Sequence, residues 1–285
     1  MLYQYFFKGV ILVSYKLICL DMDGTLLNNK KEVTDRNKEA IIRAHDKGVK
    51  IAISTGRLFA SAKYYAELLG IKAPVIAANG AYIREKDKDE VIYKSSISLE
   101  DCKEILSIVE KYDFTFYYNT FNTVISKKPF PKGYTYLQMN EDLPEEMKIQ
   151  LQVNDNLKEE FKKRDGEILK CICIGDNRED LHRAKEEIVN LGKFEVVSSL
   201  SDNFEVMNAG TSKGRAVEVL ANFYGLKREE IICMGDGEND LSMIEYAGLG
   251  IAMGNAPEYV KEASDYITDT NENHGVAKAI ERFVL

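Results

Sequence analysis

Leu17-Ile18-Cys19-Leu20-Asp21-Met22-Asp23-Gly24-Thr25-Leu26-Leu27 is an apolar stretch that ends in two aspartates spaced i, i+2 and a Gly-Thr turn. A buried parallel strand reads this way, and its carboxyl end is where α/β folds place chemistry. Two carboxylates at that point repel each other and are costly to bury unpaired. A bound Mg²⁺ would give them a reason, because hard cations take oxygen ligands. Nucleophilic catalysis would give another, since an aspartate can accept a phosphoryl group covalently. The plain alternative is a strand followed by an acidic turn. Asp-x-Asp-Gly-Thr matches by chance in about one in a few hundred chains of this length.

Downstream of that strand, Thr34 or Asp35 caps a helix to about Lys47, with Ala40, Ile41 and Ala44 at helical spacing and Gly48 at its end. Val49–Ser54 reads as a second strand, followed by Thr55-Gly56-Arg57 and a helix to about Leu69. Pro74–Ala78 is a third strand, ending at Asn79-Gly80. This β-α-β-α-β order starts a doubly wound parallel sheet. The same texture returns at Thr211-Ser212-Lys213-Gly214, with a helix, the strand Ile231–Met234 and Gly235-Asp236-Gly237-Glu238-Asn239-Asp240. A short strand, Gly250–Met253, and a helix from Gly275 to Phe283 complete it.

Between these halves the pattern changes. Glu85-Lys86-Asp87-Lys88-Asp89-Glu90 reads as a solvated hairpin turn. Strands are expected near 91–94, 114–118, 123–127, 168–174 and 194–198, with helices near 99–112, 156–164 and 178–190. The expected organisation is therefore an α/β core of residues 15–84 and 207–285, with an inserted α+β cap of residues 85–206.

The chain has 285 residues, 45% hydrophobic and 29% charged, ordinary for a soluble globular protein. Its net charge of −8 argues against a nucleic-acid-binding surface. Cys19, Cys171, Cys173 and Cys233 sit in strand-like apolar runs, as buried thiols of a reducing cytoplasm would; Cys102 is the fifth cysteine. The opening MLYQYFFKGVILVS is too short to span a bilayer and lacks a cleavage site, so neither a bilayer-spanning helix nor a signal peptide is expected. We read residues 1–14 as an extension outside the fold, as an initiation codon assigned upstream of a true start at Val13 would produce; a real extra strand or hydrophobic anchor is the alternative.

Four segments thus stand at or just after strand ends: Asp21-x-Asp23-Gly24-Thr25, Ser54-Thr55-Gly56-Arg57, Lys213, and Gly235-Asp236-Gly237-x-Asn239-Asp240. Phosphoryl transfer needs what they offer: a nucleophile, a metal site, and cations and donors around a phosphate. The set resembles the haloacid dehalogenase (HAD) superfamily of phosphotransferases. Order and spacing look most like its Cof-type branch, subfamily IIB, which carries an inserted α+β cap. The resemblance covers the chain from Lys16 to Leu285.

It implies a cytoplasmic, Mg²⁺-dependent phosphatase of small phosphorylated metabolites, with sugar phosphates the expected class. Related caps also accept pyridoxal phosphate or flavin mononucleotide. Asp21 matches the nucleophile and Asp23 the general acid/base. The Met22 backbone N–H, Thr55, Gly56, Lys213 and Asn239 match phosphate- or substrate-binding positions. The Asp21 carboxylate, the Asp23 backbone carbonyl and Asp236 match the metal site. Asp240 matches a carboxylate that binds metal waters or orients Lys213. Arg57 is read as a substrate contact or a salt bridge, Asn79 as structural, and Glu205 and Asn208 as candidate hydroxyl contacts. His274 departs from the acidic residue related sequences often carry there. The aromatic group Tyr117, Tyr118, Phe121, Phe130, Tyr134 and Tyr136 reads first as sheet core plus loop. Two rivals are a phosphomutase, which would need cap arginines for a second phosphate, and a non-catalytic sensor of a phosphorylated ligand. Neither the physiological substrate nor the oligomeric state follows from these motifs.

Overall fold

The computed structural model describes residues 14–198 and 202–285. All of the 1–14 extension except Ser14 therefore lies outside the described residues. In chain order the strands are β1 (Leu17–Asp21), β2 (Lys50–Ser54), β3 (Pro74–Ala77), β4 (Tyr82–Glu85), β5 (Val91–Lys94), β6 (Thr115–Asn119), β7 (Thr123–Ser126), β8 (Gln150–Val153), β9 (Lys170–Ile174), β10 (Phe194–Val197), β11 (Asn203–Asn208), β12 (Ile231–Gly235), β13 (Leu249–Ala252) and β14 (Tyr266–Ile267). The helices are α1 (Asp35–Asp46), α2 (Phe59–Leu68), α3 (Leu99–Val109), α4 (Thr135–Asp142), α5 (Leu157–Lys163), α6 (Arg178–Asn190), α7 (Lys213–Phe223), α8 (Leu241–Tyr246), α9 (Glu258–Glu262) and α10 (Gly275–Phe283).

The larger sheet has the order β14-β13-β12-β1-β2-β3-β4-β5, parallel from β14 to β3 and antiparallel at β4 and β5. Its central strands are buried on both faces, which is why they read as unbroken apolar runs. Ile18, Leu20, Ile51, Ile53 and Met234 face α1, α2 and α10; Leu17, Cys19, Ala52, Ile231 and Cys233 face α7 and α8. Thr34 caps α1 by accepting from the Asn37 N–H. From β1 the chain winds one way to β2 and β3, and on its return the other way to β12, β13 and β14. β1 and β12 therefore flank the switch point, the crevice where doubly wound sheets bind ligands.

The second sheet, of order β10-β11-β9-β6-β7-β8, lies between β5 and α7 in the chain. One face buries Tyr118, Cys171, Cys173, Phe204 and Val206 against α3, α5 and α6. The other carries Tyr117, Ile172 and Ile174 toward Leu58, Phe130 and Tyr134. The strand at 91–94, read from sequence as part of the middle domain, belongs instead to the larger sheet, where β5 pairs with β4. The charged run 85–90 is the hairpin turn between them. In the middle segment the sequence reading did not anticipate α4, β8 or β11, and its boundary at 206/207 falls inside β11, which stays in the second sheet to Asn208. All five cysteines are buried free thiols. Among the described residues no helix is long and apolar enough to cross a membrane.

Candidate active site

The carboxyl ends of β1, β2 and β12 converge under the second sheet and border a cavity of about 740 Å³. Asp21 is the last residue of β1, and the chain turns sharply after it. Gly24 permits that turn with φ +83°; a Cβ there would stand 2.2 Å from the Asp236 carboxylate. Thr25 Oγ1 donates to Asp236 Oδ1 at 3.1 Å, tying the first segment to the last. The Met22 side chain is buried, and its carbonyl accepts from the Thr25 and Leu27 N–H groups.

Lys213, the first residue of α7, is fully buried. Its ammonium lies 2.6 Å from Asp21 and 2.5 Å from Asp240. Burial opposes its charge, but the two carboxylates outweigh burial and raise its pKa. Asp240 also accepts the Asp236 and Gly237 N–H groups at 2.9 Å, which shapes the loop after β12. Asp21, Asp236 and Asp240 each place a carboxylate oxygen within 4.8 Å of the others. Burial, then Asp240, pushes the Asp21 carboxyl well up against the pull of Lys213. Burial and Asp240 likewise raise Asp236 to about 6. One ammonium faces three carboxylates, so the site carries surplus negative charge on hard oxygen donors. That donor set fits a divalent cation such as Mg²⁺.

The Asp23 carboxylate turns the other way. Arg57 grips it with two hydrogen bonds of 2.7 Å, and Lys31 adds a third of 2.7 Å. Burial works against ionisation here, yet Arg57 and then Lys31 overcome it and lower Asp23 to about 2. The Arg57 side chain is thus a salt-bridge partner of Asp23, and its guanidinium also sits over the Tyr65 ring.

Thr55 Oγ1 accepts from the Arg57 N–H at 3.2 Å, and the Thr55 carbonyl accepts from the Asn79 N–H at 3.0 Å. These bonds support Asn79 in the left-handed region, at φ +53°. Its amide is a relay: Asn239 donates to Asn79 Oδ1 at 3.1 Å, and Asn79 donates to Glu205 Oε2 at 2.5 Å. Lys170 of β9 then donates to the same Glu205 oxygen at 2.8 Å and to the Gly56 carbonyl at 2.6 Å.

The structure thus brings Asp21, Asp23, Thr55, Gly56, Asp236, Asn239 and Asp240 to one cavity, with Lys213 buried beneath it. Of the aromatic group, Tyr117, Tyr134 and Tyr136 border the cavity, and Phe130 stacks on Tyr117. Tyr118 is core on the helix side, and Phe121 stacks on Tyr82 of the larger sheet. Asn208 points elsewhere, donating to Ser95 Oγ. His274 holds the start of α10, with its ring 3.0 Å from Thr34 Oγ1.

Sequence reasoning missed Lys170, Asn119 and Asn255. Lys170 and Asn119 also border the cavity, and Lys170 had a signal: a lysine opening an apolar strand, in register with the pocket-facing Ile172 and Ile174. Asn255 donates to the Gly24 carbonyl at 2.9 Å and to Asp236 Oδ2 at 3.2 Å. Its signal was a polar side chain just past the carboxyl end of β13.

The family model of haloacid dehalogenase-like hydrolases matches residues 18–280. A 5-amino-6-(5-phospho-D-ribitylamino)uracil phosphatase of Bacillus subtilis is 35% identical over 273 residues, spanning 96% of this chain and 97% of that one. Among solved structures, a haloacid dehalogenase-like hydrolase from Bacteroides thetaiotaomicron superposes with a TM-score of 0.80 at 32% identity, over 94% of this chain and 99% of the other. A HAD subclass IIB sugar phosphatase, BT4131, superposes with a TM-score of 0.75 at 27% identity, over 94% and 98%.

Proposed function

We propose, from the premise that this chain belongs to the haloacid dehalogenase-like hydrolases and is a phosphatase of small phosphorylated molecules, that it works with Mg²⁺ through an aspartyl phosphate on Asp21 and acts on sugar phosphates in the cytoplasm. The observation that carries this reading is the buried Lys213 ammonium between Asp21 and Asp240, beside Asp236. Three segments far apart in sequence have no structural need to meet as one ammonium among three carboxylates.

In this reading Asp21 attacks phosphorus and the bond from phosphorus to the leaving alkoxide breaks. Asp23 gives that alkoxide its proton. Asp23 then takes a proton from water, whose oxygen displaces the Asp21 carboxylate and releases phosphate. Arg57 and Lys31 both border the cavity, so an incoming phosphate dianion competes with Asp23 for them. Loosening that grip raises the Asp23 pKa, and the dianion beside it raises it further, which favours the proton Asp23 must carry. Lys213 holds Asp21 in place and offsets charge there. Thr55, the Gly56 backbone and Asn239 receive phosphate oxygens or substrate, and the Met22 N–H adds a donor. Asp21, the Asp23 carbonyl and Asp236 would hold Mg²⁺, which supplies charge neutralisation for the phosphoryl group. Asp240 orients Lys213. The second sheet and its helices act as a cap that closes over the site and excludes water.

The test is phosphate release from a panel of sugar, nucleotide and cofactor phosphates, with Mg²⁺, with EDTA and with Asp21→Asn. Metal-dependent release abolished by that substitution supports the reading. Wild-type rates in Asp21→Asn overturn it. A ligand sensor would bind its phosphorylated ligand without turnover in the parent protein as well as in Asp23→Ala.

A further inference from the structure

We propose that Asn119, flanked by Lys170 and Glu205, is the specificity element of this cavity. It selects phosphate monoesters of neutral alcohols that carry a further hydroxyl or N–H donor. This rests on the phosphatase reading above.

The register of the second sheet builds the element. Asn119 of β6 lies directly opposite Lys170 of β9, and Ile172 lies opposite both Tyr117 and Glu205. Side chains two apart share a strand face, so these five form one patch, and that patch borders the cavity. Asn119 is 4% exposed, and its Oδ1 has no hydrogen-bond partner. Among the described residues two other buried side-chain atoms share that condition, Asn37 Nδ2 and Ser54 Oγ, and neither residue borders this cavity. A buried carbonyl oxygen left unpaired is expensive, and proteins keep few of them. Asn119 borders the cavity, so a small turn of its side chain brings this oxygen to a donor on the substrate.

The neighbours fix the charge of that group. Lys170 is committed to Glu205 and to the Gly56 carbonyl. Glu205 is a carboxylate, already receiving Asn79 and Lys170 on one oxygen. The wall is therefore rich in acceptors, and its one cation is already paired. A second phosphate or a carboxylate placed there would meet a carboxylate and a carbonyl oxygen. A hydroxyl would donate to them, while its carbon skeleton packs on Tyr117 and Ile172.

The experiment compares kcat/KM for pentose and hexose monophosphates, fructose 1,6-bisphosphate and p-nitrophenyl phosphate, which has no donor on its leaving group. Wild type, Asn119→Leu and Asn119→Asp are assayed with Mg²⁺. The readout is the ratio of the best sugar monophosphate to p-nitrophenyl phosphate. We expect the ratio to fall about tenfold in Asn119→Leu, as loss of one substrate hydrogen bond implies. Asn119→Asp, which keeps an acceptor, retains the ratio within about threefold. An equal fall for both substrates, leaving the ratio unchanged, marks a merely structural residue and overturns the proposal. So does a bisphosphate as the best substrate. Hydrolysis of p-nitrophenyl phosphate with no preference for any sugar ester overturns it and leaves the phosphatase reading standing. No hydrolysis of any ester by folded, metal-loaded protein removes both.

Discussion

Lys213 shows how much one buried charge can organise. Its ammonium neutralises Asp21 and Asp240 with no access to solvent. Removing one partner of a buried ion pair leaves the other uncompensated, at about 3–5 kcal/mol. Lys213→Met should therefore lower unfolding stability by about that amount in urea titrations. It should also cut phosphate release by about 10²–10³-fold, the scale of losing an electrostatic group at the reacting centre. A stable, active Lys213→Met would mean that the carboxylates do not need this cation. At this scale the sequence was legible where a motif residue ends or follows a strand: Asp21, Thr55, Asp236 and Asn239 all border the cavity, whereas Asn255, past β13, belongs to no motif and was missed. It was not legible where a role depends on partners distant in sequence. Arg57 gripping Asp23 involves residues 34 apart, and Asn79 bonding Glu205 spans 126. No local pattern encodes either pairing.

At the scale of elements, the turn after β1 is the most constrained piece. Gly24 combines a positive φ with a side-chain volume already filled by Asp236. Gly24→Ala adds a strained backbone and a clash of its Cβ with Asp236 Oδ2. We expect it to lower stability by about 1–3 kcal/mol. It should also weaken activation by Mg²⁺, read as a rightward shift of the activity–Mg²⁺ curve. An unshifted curve would show that Asp236 can retreat without consequence. The long apolar strands β1, β2, β3 and β12 were readable because burial on both faces leaves an unbroken hydrophobic run. α4 was not, since none of its residues is buried and no apolar stripe marks it. β8 is four residues long and only half buried, too short for its alternation to stand out. β5 was found but assigned to the wrong sheet: its partner is set by the β4 hairpin, whereas composition alone suggested a boundary at the charged turn.

Across the whole molecule, the two sheets are joined at the site by one polar relay, from Asn239 through Asn79 and Glu205 to Lys170 and the Gly56 carbonyl. The Lys170–Glu205 pair in it is buried on both sides. Lys170→Met alone should cost about 3–5 kcal/mol, because it strands the Glu205 carboxylate. The double variant Lys170→Met/Glu205→Leu should recover most of that loss, which a double-mutant cycle in denaturant would read directly. Additive losses would contradict a paired role. On the proposed reading the specificity wall lies on one sheet and the reacting carboxylates on the other. Recognition and chemistry therefore meet only when both sheets frame the same substrate.

The central claim is that Asp21 carries the phosphoryl group. The direct measurement is to quench the enzyme during turnover of a sugar phosphate with Mg²⁺, reduce it with borohydride and map it by mass spectrometry. An acyl phosphate on an aspartate reduces to homoserine. The account predicts homoserine at position 21, dependent on substrate and Mg²⁺. Modification at another carboxylate, or undiminished turnover in Asp21→Asn, would contradict it.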